Sequence, residues 1–135
     1  MKQVVVPVRY PLSEHSRATL AEAIDIATEA EASLTILHVN LYQNGMRVNR
    51  SQLKDAVESE FGHLPFARYA IRSGILVEES ILEEIAAEQA DVVVIGKKQA
   101  GRWREMIRRL VDDPDIEHFL REQLDCQVVT VSPTV

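Results

Sequence analysis

Three cations in this chain could form an anion pocket: Arg9, Lys97 and Lys98. Arg9 closes a valine-rich run, Gln3 to Arg9, and the two lysines directly follow another, Asp91 to Gly96 (DVVVIG). If those runs are neighbouring parallel strands, the three side chains meet beyond the carboxyl ends, where open α/β sheets bind ligands. Guanidinium and ammonium groups so placed hold a phosphate, a nucleotide monophosphate or an acidic partner. The plain alternative is that lysines after a strand are simply solvated. A further cluster, Arg102, Arg104, Arg108 and Arg109, together with Lys97 and Lys98 places six of the fifteen basic residues within thirteen positions, opposed only by Glu105. On a helix, Trp103, Ile107 and Leu110 face one way and the arginines fan around the other side. Such a segment can dock an acidic protein partner or an anionic surface. The simpler reading, a lid helix whose arginines are solvated or paired to Asp112 and Asp113, is preferred.

Other chemistry lacks its residues. The first-strand loop (Arg9-Tyr10-Pro11-Leu12-Ser13) contains neither G-x-G-x-x-G nor G-x-x-x-x-G-K-[ST], so dinucleotide and P-loop sites are not expected. His15, His38, His63 and His118 include no pair at the i, i+4 spacing of a helical metal site. His38 sits within a strand pattern and reads as a packed or hydrogen-bonded core residue, His15 as solvated. Ser13 and Ser16 have no base arranged beside them. The acidic run from Glu78 to Glu88 reads as a solvated helix face, with Glu79, Glu83 and Glu84 largely outward. Cys126 is the single cysteine, so no intrachain disulfide forms, and its apolar neighbours suggest a small buried hydrophobe.

The elements that must position these residues alternate. Strands are expected at Gln3–Arg9, Ser33–Asn40, Phe66–Arg72, Asp91–Gly96 and Cys126–Ser132. Ser13 to Ala30 is a helix with Leu20, Ala23, Ile24 and Ala27 on one apolar face and Ser13 as N-cap. Leu53, Ala56, Val57 and Phe61 mark a second helix. Glu78 to Ala90 is a third, with Ile81, Ile85 and Ala86 inward. Lys97 to Asp113 is irregular, although Trp103, Met106, Ile107, Leu110 and Val111 could form a short amphipathic helix. Pro114-Asp115 then opens a helix to about Leu124, with Ile116, Phe119 and Leu120 inward. Strands alternating with helices imply βαβ units and a parallel sheet covered on both faces.

Residues 1–135 read as one domain. Apolar residues, at 46%, are enough for a core, and no run approaches the roughly 18–20 apolar residues of a membrane span. With no signal-peptide pattern at the start, a cytoplasmic protein is expected. A net charge of −6 disfavours bulk nucleic-acid binding.

The first strand with its proline (VVVPV), the second ending Leu37-His38-Val39, the stretch Gly74 to Gly96 and the ending Cys126 to Pro133 (CQVVTVSP) together resemble the universal stress proteins along nearly the whole chain. The resemblance implies an α/β fold, adenine nucleotide alpha-hydrolase-like, with a five-stranded parallel sheet ordered 3-2-1-4-5. It implies a small, non-catalytic cytoplasmic regulator, often a homodimer formed through the last strand, here Gln127 to Val131. ATP-binding members carry an aspartate after the first strand and G-x-x-G, about nine residues, then G-[ST] after the fourth. This chain has Arg9 in place of the aspartate. Gly96 matches the first glycine, Gln99 replaces the second with Gly101 two residues on, and Pro114-Asp115 replaces the last pair. Proline has no N–H to give, and a capping carboxylate repels phosphate. The expectation is therefore that family-typical ATP binding is lost and no cofactor is needed. Backbone contacts to an adenine near Val39 do not depend on side-chain identity, so an adenine nucleotide or small anion at Arg9, Val39, Gly96, Lys97, Lys98 and Gly101 is the alternative.

Overall fold

The computed structural model describes residues 2–110 and 126–132. The elements are β1 (Gln3–Pro7), α1 (Glu14–Ala30), β2 (Ser33–Leu41), α2 (Arg50–Phe61), β3 (Ala67–Gly74), α3 (Val77–Glu88), β4 (Val92–Gly96), α4 (Lys97–Leu110) and β5 (Gln127–Val131). The strands form one parallel sheet in the order β3-β2-β1-β4-β5, as expected. β3 and β5 are its edges.

Side chains alternate across the sheet with period two. Val4, Val6, Leu34, Ile36, Val92 and Val94 pack with Leu20, Ala23 and Ala27 of α1 and with Leu53 and Val57 of α2. Leu37, Val39, Val93 and Ile95 pack on the opposite face with Ile81 and Ile85 of α3 and with Trp103 and Ile107 of α4. Strands buried on both faces read as unbroken apolar runs, which explains VVV and VVVI in the central pair. α1 starts where Ser13 accepts a hydrogen bond from the Ser16 N–H at 3.1 Å. α2 carries a reciprocal box in which Asn49 accepts from the Gln52 N–H and Gln52 accepts from the Asn49 N–H, both at 2.9 Å.

Three local expectations change. β1 ends at Pro7, two residues early; the Val8 N–H still bonds the Leu37 carbonyl at 2.8 Å before the chain turns away. The stretch read as irregular is the regular helix α4, which starts at Lys97 with no intervening loop. Ala100, Trp103 and Ile107 give it a buried face at i, i+3 and i+7, and Trp103 is only 2% exposed. That burial outweighs the cost of an interior glycine, about 1 kcal/mol for Gly101. Glu84 does not face water. It is 4% exposed, because its place three residues after Ile81 and before Ile85 turns it to the sheet, where Arg72 of β3 meets it. The helix expected from Pro114-Asp115, with Ile116, Phe119 and Leu120, lies outside the described residues, as do Asp112, Asp113 and His118.

Cys126 is buried, as read from its neighbours. Burial first, then the charge of Asp91, push its thiol up to about 11, against a weaker opposing bond from the Val93 backbone. At neutral pH fewer than about one thiol in a thousand is thiolate. Ellman's reagent is expected to label the native chain far more slowly than the urea-unfolded chain. Its rate should climb about tenfold per pH unit until the thiol titrates.

Candidate functional site

The carboxyl end of the sheet holds a cleft of about 370 Å³ between the loop after β1 and the segment that follows β2. Tyr10 comes from the first, His38 and Asn40 from the end of β2, and Gln43, Asn44 and Met46 from the following turn. Among the described residues none with a fixed charge lines it. Its groups are amides, an imidazole and a phenol, suited to an uncharged polar or heteroaromatic group rather than to a phosphate.

Asn40 shapes this cleft. Its side chain is buried and makes two bonds to one residue: Nδ2 donates to the Val48 carbonyl at 2.9 Å, and Oδ1 accepts from the Val48 N–H at 3.0 Å. The pair imitates a strand bridge and closes the loop between residues 40 and 48. The Tyr42 N–H adds a bond to the Gly74 carbonyl at 3.0 Å, and Gln43 Nε2 one to the Ile75 carbonyl at 3.1 Å. Asn40→Ala is expected to cost about 2 kcal/mol, since it strands two buried backbone groups. Hydrogen exchange at the Val48 amide should rise more than that at the core strands.

His38 Nδ1 lies 3.1 Å from the Val8 carbonyl. A carbonyl only accepts, so this nitrogen carries the proton. Burial holds the imidazole pKa below its ordinary range, partly opposed by the bonds to Val8 and Asn40. The ring is therefore neutral at pH 7, with Tyr10 edge-on at 6.2 Å. His38 is thus the packed, hydrogen-bonded residue expected, and His15 is exposed.

Of the six residues the sequence offered for binding a nucleotide or anion, only Val39 lines the cleft. Arg9 is exposed just past β1, its N–H donating to Ser16 Oγ at 2.9 Å. Gly96 ends β4; Lys97 and Lys98 form the exposed first turn of α4, and Gly101 is exposed within that helix. Because β1 and β4 are parallel neighbours, Arg9 and the two lysines do leave the sheet at one end. Tyr10, Asn40, Gln43, Asn44 and Met46 were not singled out as site residues. For the segment after β2 the sequence does carry one signal, the dipeptide Asn44-Gly45, which favours a turn.

Of the four arginines on α4, Arg102 pairs with Glu78 at 2.9 Å and Arg109 with Glu105 at 3.5 Å. Arg104 and Arg108 have no ion pair among the described residues. Another cleft, of about 450 Å³, lies between α2 and the amino half of β3. Of its charged groups, Glu58 bonds His63 at 2.7 Å and Arg68 bonds Glu88 of α3, whereas Arg50 and Lys54 have no ion pair among the described residues. Among the described residues no three His, Cys, Asp or Glu side chains are grouped to hold a metal, and no helix is long and apolar enough to cross a membrane.

No family model matches this sequence, and no curated protein matches it. The fold, in contrast, has clear neighbours, and they are universal stress proteins. The UspA protein of Lactobacillus plantarum is 18% identical over 96% of this chain and 97% of its own, with a TM-score of 0.62. A universal stress protein solved in complex with cAMP is 17% identical over 98% of both chains, with a TM-score of 0.59. A member from Burkholderia pseudomallei is 15% identical over 98% of this chain and 96% of its own, at 0.59. The chain thus shares the fold of these universal stress proteins, an α/β fold on a five-stranded parallel sheet.

Proposed function

We propose that this chain is a non-catalytic regulatory module of universal stress protein type, homodimeric through β5 and without the family's ATP binding. The course of the chain after β4 carries this reading. Where ATP-binding relatives need a glycine-rich loop, Lys97 to Leu110 is one unbroken helix. Gly101 lies inside it, where backbone amides bond the preceding turn and cannot cradle a phosphate. Arg9 stands where the aspartate would be. The cleft beside β2 offers no cation for a triphosphate. Supporting the dimer, β5 is an edge strand whose Val128, Val129 and Val131 are only partly buried, and such an edge invites pairing with another copy. Light scattering at high micromolar concentration should give twice the chain mass of 15.2 kDa; a monomer removes the dimer. Millimolar ATP with magnesium should leave the melting temperature unchanged.

The alternative reading is a sensor for an adenine nucleotide or another small anion, held by Arg9, Lys97 and Lys98 with backbone from Val39, Gly96 and Gly101. The exposed cations at the ends of adjacent strands favour it, as does cAMP bound to one structural neighbour. A ligand at one hundred times its Kd adds about 2.7 kcal/mol of stability. A thermal shift with cAMP, AMP or ATP that disappears in Lys97→Ala/Lys98→Ala would establish this reading and displace the first.

A further inference from the structure

We propose that one ridge of α4 docks an acidic α-helix of a partner protein. The helix shows solvent two ridges, each stepping by four, three and four residues. One of them, Lys98, Arg102, Glu105 and Arg109, is largely neutralised within the molecule by the Arg102–Glu78 and Arg109–Glu105 pairs. The other, Lys97, Gly101, Arg104 and Arg108, is exposed at every position. Its three cations have no carboxylate partner among the described residues. Arg102 ties the neutralised ridge to α3, so the free ridge points away from that helix, along about 16 Å of surface.

Gly101 is an independent observation. Glycine inside a helix is destabilising relative to alanine. Nothing in the described structure requires it: a Cβ built there meets no atom within 4 Å, and the backbone has no positive φ. What the missing side chain provides is a gap flanked by cations one turn away on each side. Interaxial distance between packed helices is set by the side chains at the crossing, so this gap admits a close approach by another backbone. The matching occupant is a helix with a small residue at the crossing and carboxylates at the same four-and-three spacing on either side.

The other polyanions fit less well. The chain's net charge of −6 opposes nucleic acid at any distance beyond the helix itself. A membrane needs the apolar side of an amphipathic helix, and here Ala100, Trp103 and Ile107 are buried in the protein. The inference stands on the surface of α4 alone and holds whether or not the chain binds a nucleotide.

The probe is a fluorescent synthetic helical peptide with glutamates at i, i+4, i+7 and i+11 around a central alanine, titrated onto the full chain and followed by anisotropy. Binding is expected at low salt and should weaken as salt screens the contact. Arg104→Glu/Arg108→Glu should weaken it roughly tenfold or more. Gly101→Leu keeps every charge and should raise the melting temperature, yet weaken binding by roughly tenfold as well. Unchanged binding by Gly101→Leu overturns the proposal, since the contact is then charge alone. Absence of binding at low salt, or indifference to the charge reversal, overturns it too. Binding that appears only after Asp112→Asn/Asp113→Asn means the chain occupies the ridge itself. Self-association abolished by the charge reversal makes the occupant another copy of this chain. Either result removes the partner helix.

Discussion

Trp103→Ala is expected to cost about 4 kcal/mol of stability, a large share of the roughly 5–15 kcal/mol that holds a domain of this kind folded. Trp103 is the largest of the side chains the fold buries completely, in the layer between α3, α4 and the sheet. Its removal subtracts the transfer energy of an indole and leaves a cavity that the rigid central strands cannot collapse into. Trp103→Phe separates packing from polarity. The indole Nε1–H is buried with no hydrogen-bond partner among the described residues, and an unpaired buried donor is costly. Phenylalanine removes that donor while keeping a ring, so its cost should stay below about 1.5 kcal/mol. Circular dichroism in urea is the measurement, because Trp103 is the chain's single tryptophan and both variants lose its fluorescence. Similar losses for the two variants would mean the indole's shape, rather than apolar volume, holds α4 on the sheet.

The other large effect is at Arg72. Its guanidinium bonds Glu84 at 3.0 Å and lies 3.5 Å from Glu83. The Glu84 side chain is 5% exposed and one of its oxygens has no partner among the described residues, whereas Arg72 remains 29% exposed. Arg72→Ala therefore leaves a carboxylate in the interior without its counter-ion, and should cost about 3 kcal/mol. The pair itself contributes far less, because water already reaches the arginine and burying the acid has its own penalty. Arg72→Met/Glu84→Leu, which replaces the ions by apolar volume, is expected to recover most of the loss. Urea unfolding of the two variants and wild type tests this. A double variant as unstable as Arg72→Ala would show that the pair stabilises in its own right.

Much of the fold was legible in the residues. Strands buried on both faces must be apolar at every position, so VVVPV and DVVVIG announce themselves. Amphipathic helices repeat their apolar residues at three and four, so Leu20, Ala23 and Ala27 point to one side before any coordinates exist. The alternation of the two leaves a parallel sheet as the economical answer, and the resemblance to universal stress proteins supplied the strand order that the structure has. α4 was harder to see. Its cations and glycine mask a buried face of only a few residues, and helix formation there depends on a sheet against which Trp103 can be buried.

What the sequence determined by itself was local: which stretches are strands, which helical faces are apolar, and which motifs of phosphate binding are missing. Only the tertiary structure decided which side chains meet. Glu84 resembles its solvated neighbours until Arg72 arrives from β3. Tyr10, His38, Asn40 and Met46 become one cleft because two neighbouring strands end side by side. The arginines of α4 divide into a neutralised ridge and a free one because α3 brings Glu78 to just one of them. The reason is physical: periodicity records what a residue needs from water, whereas partnership depends on the distances that packing sets between segments far apart in the chain.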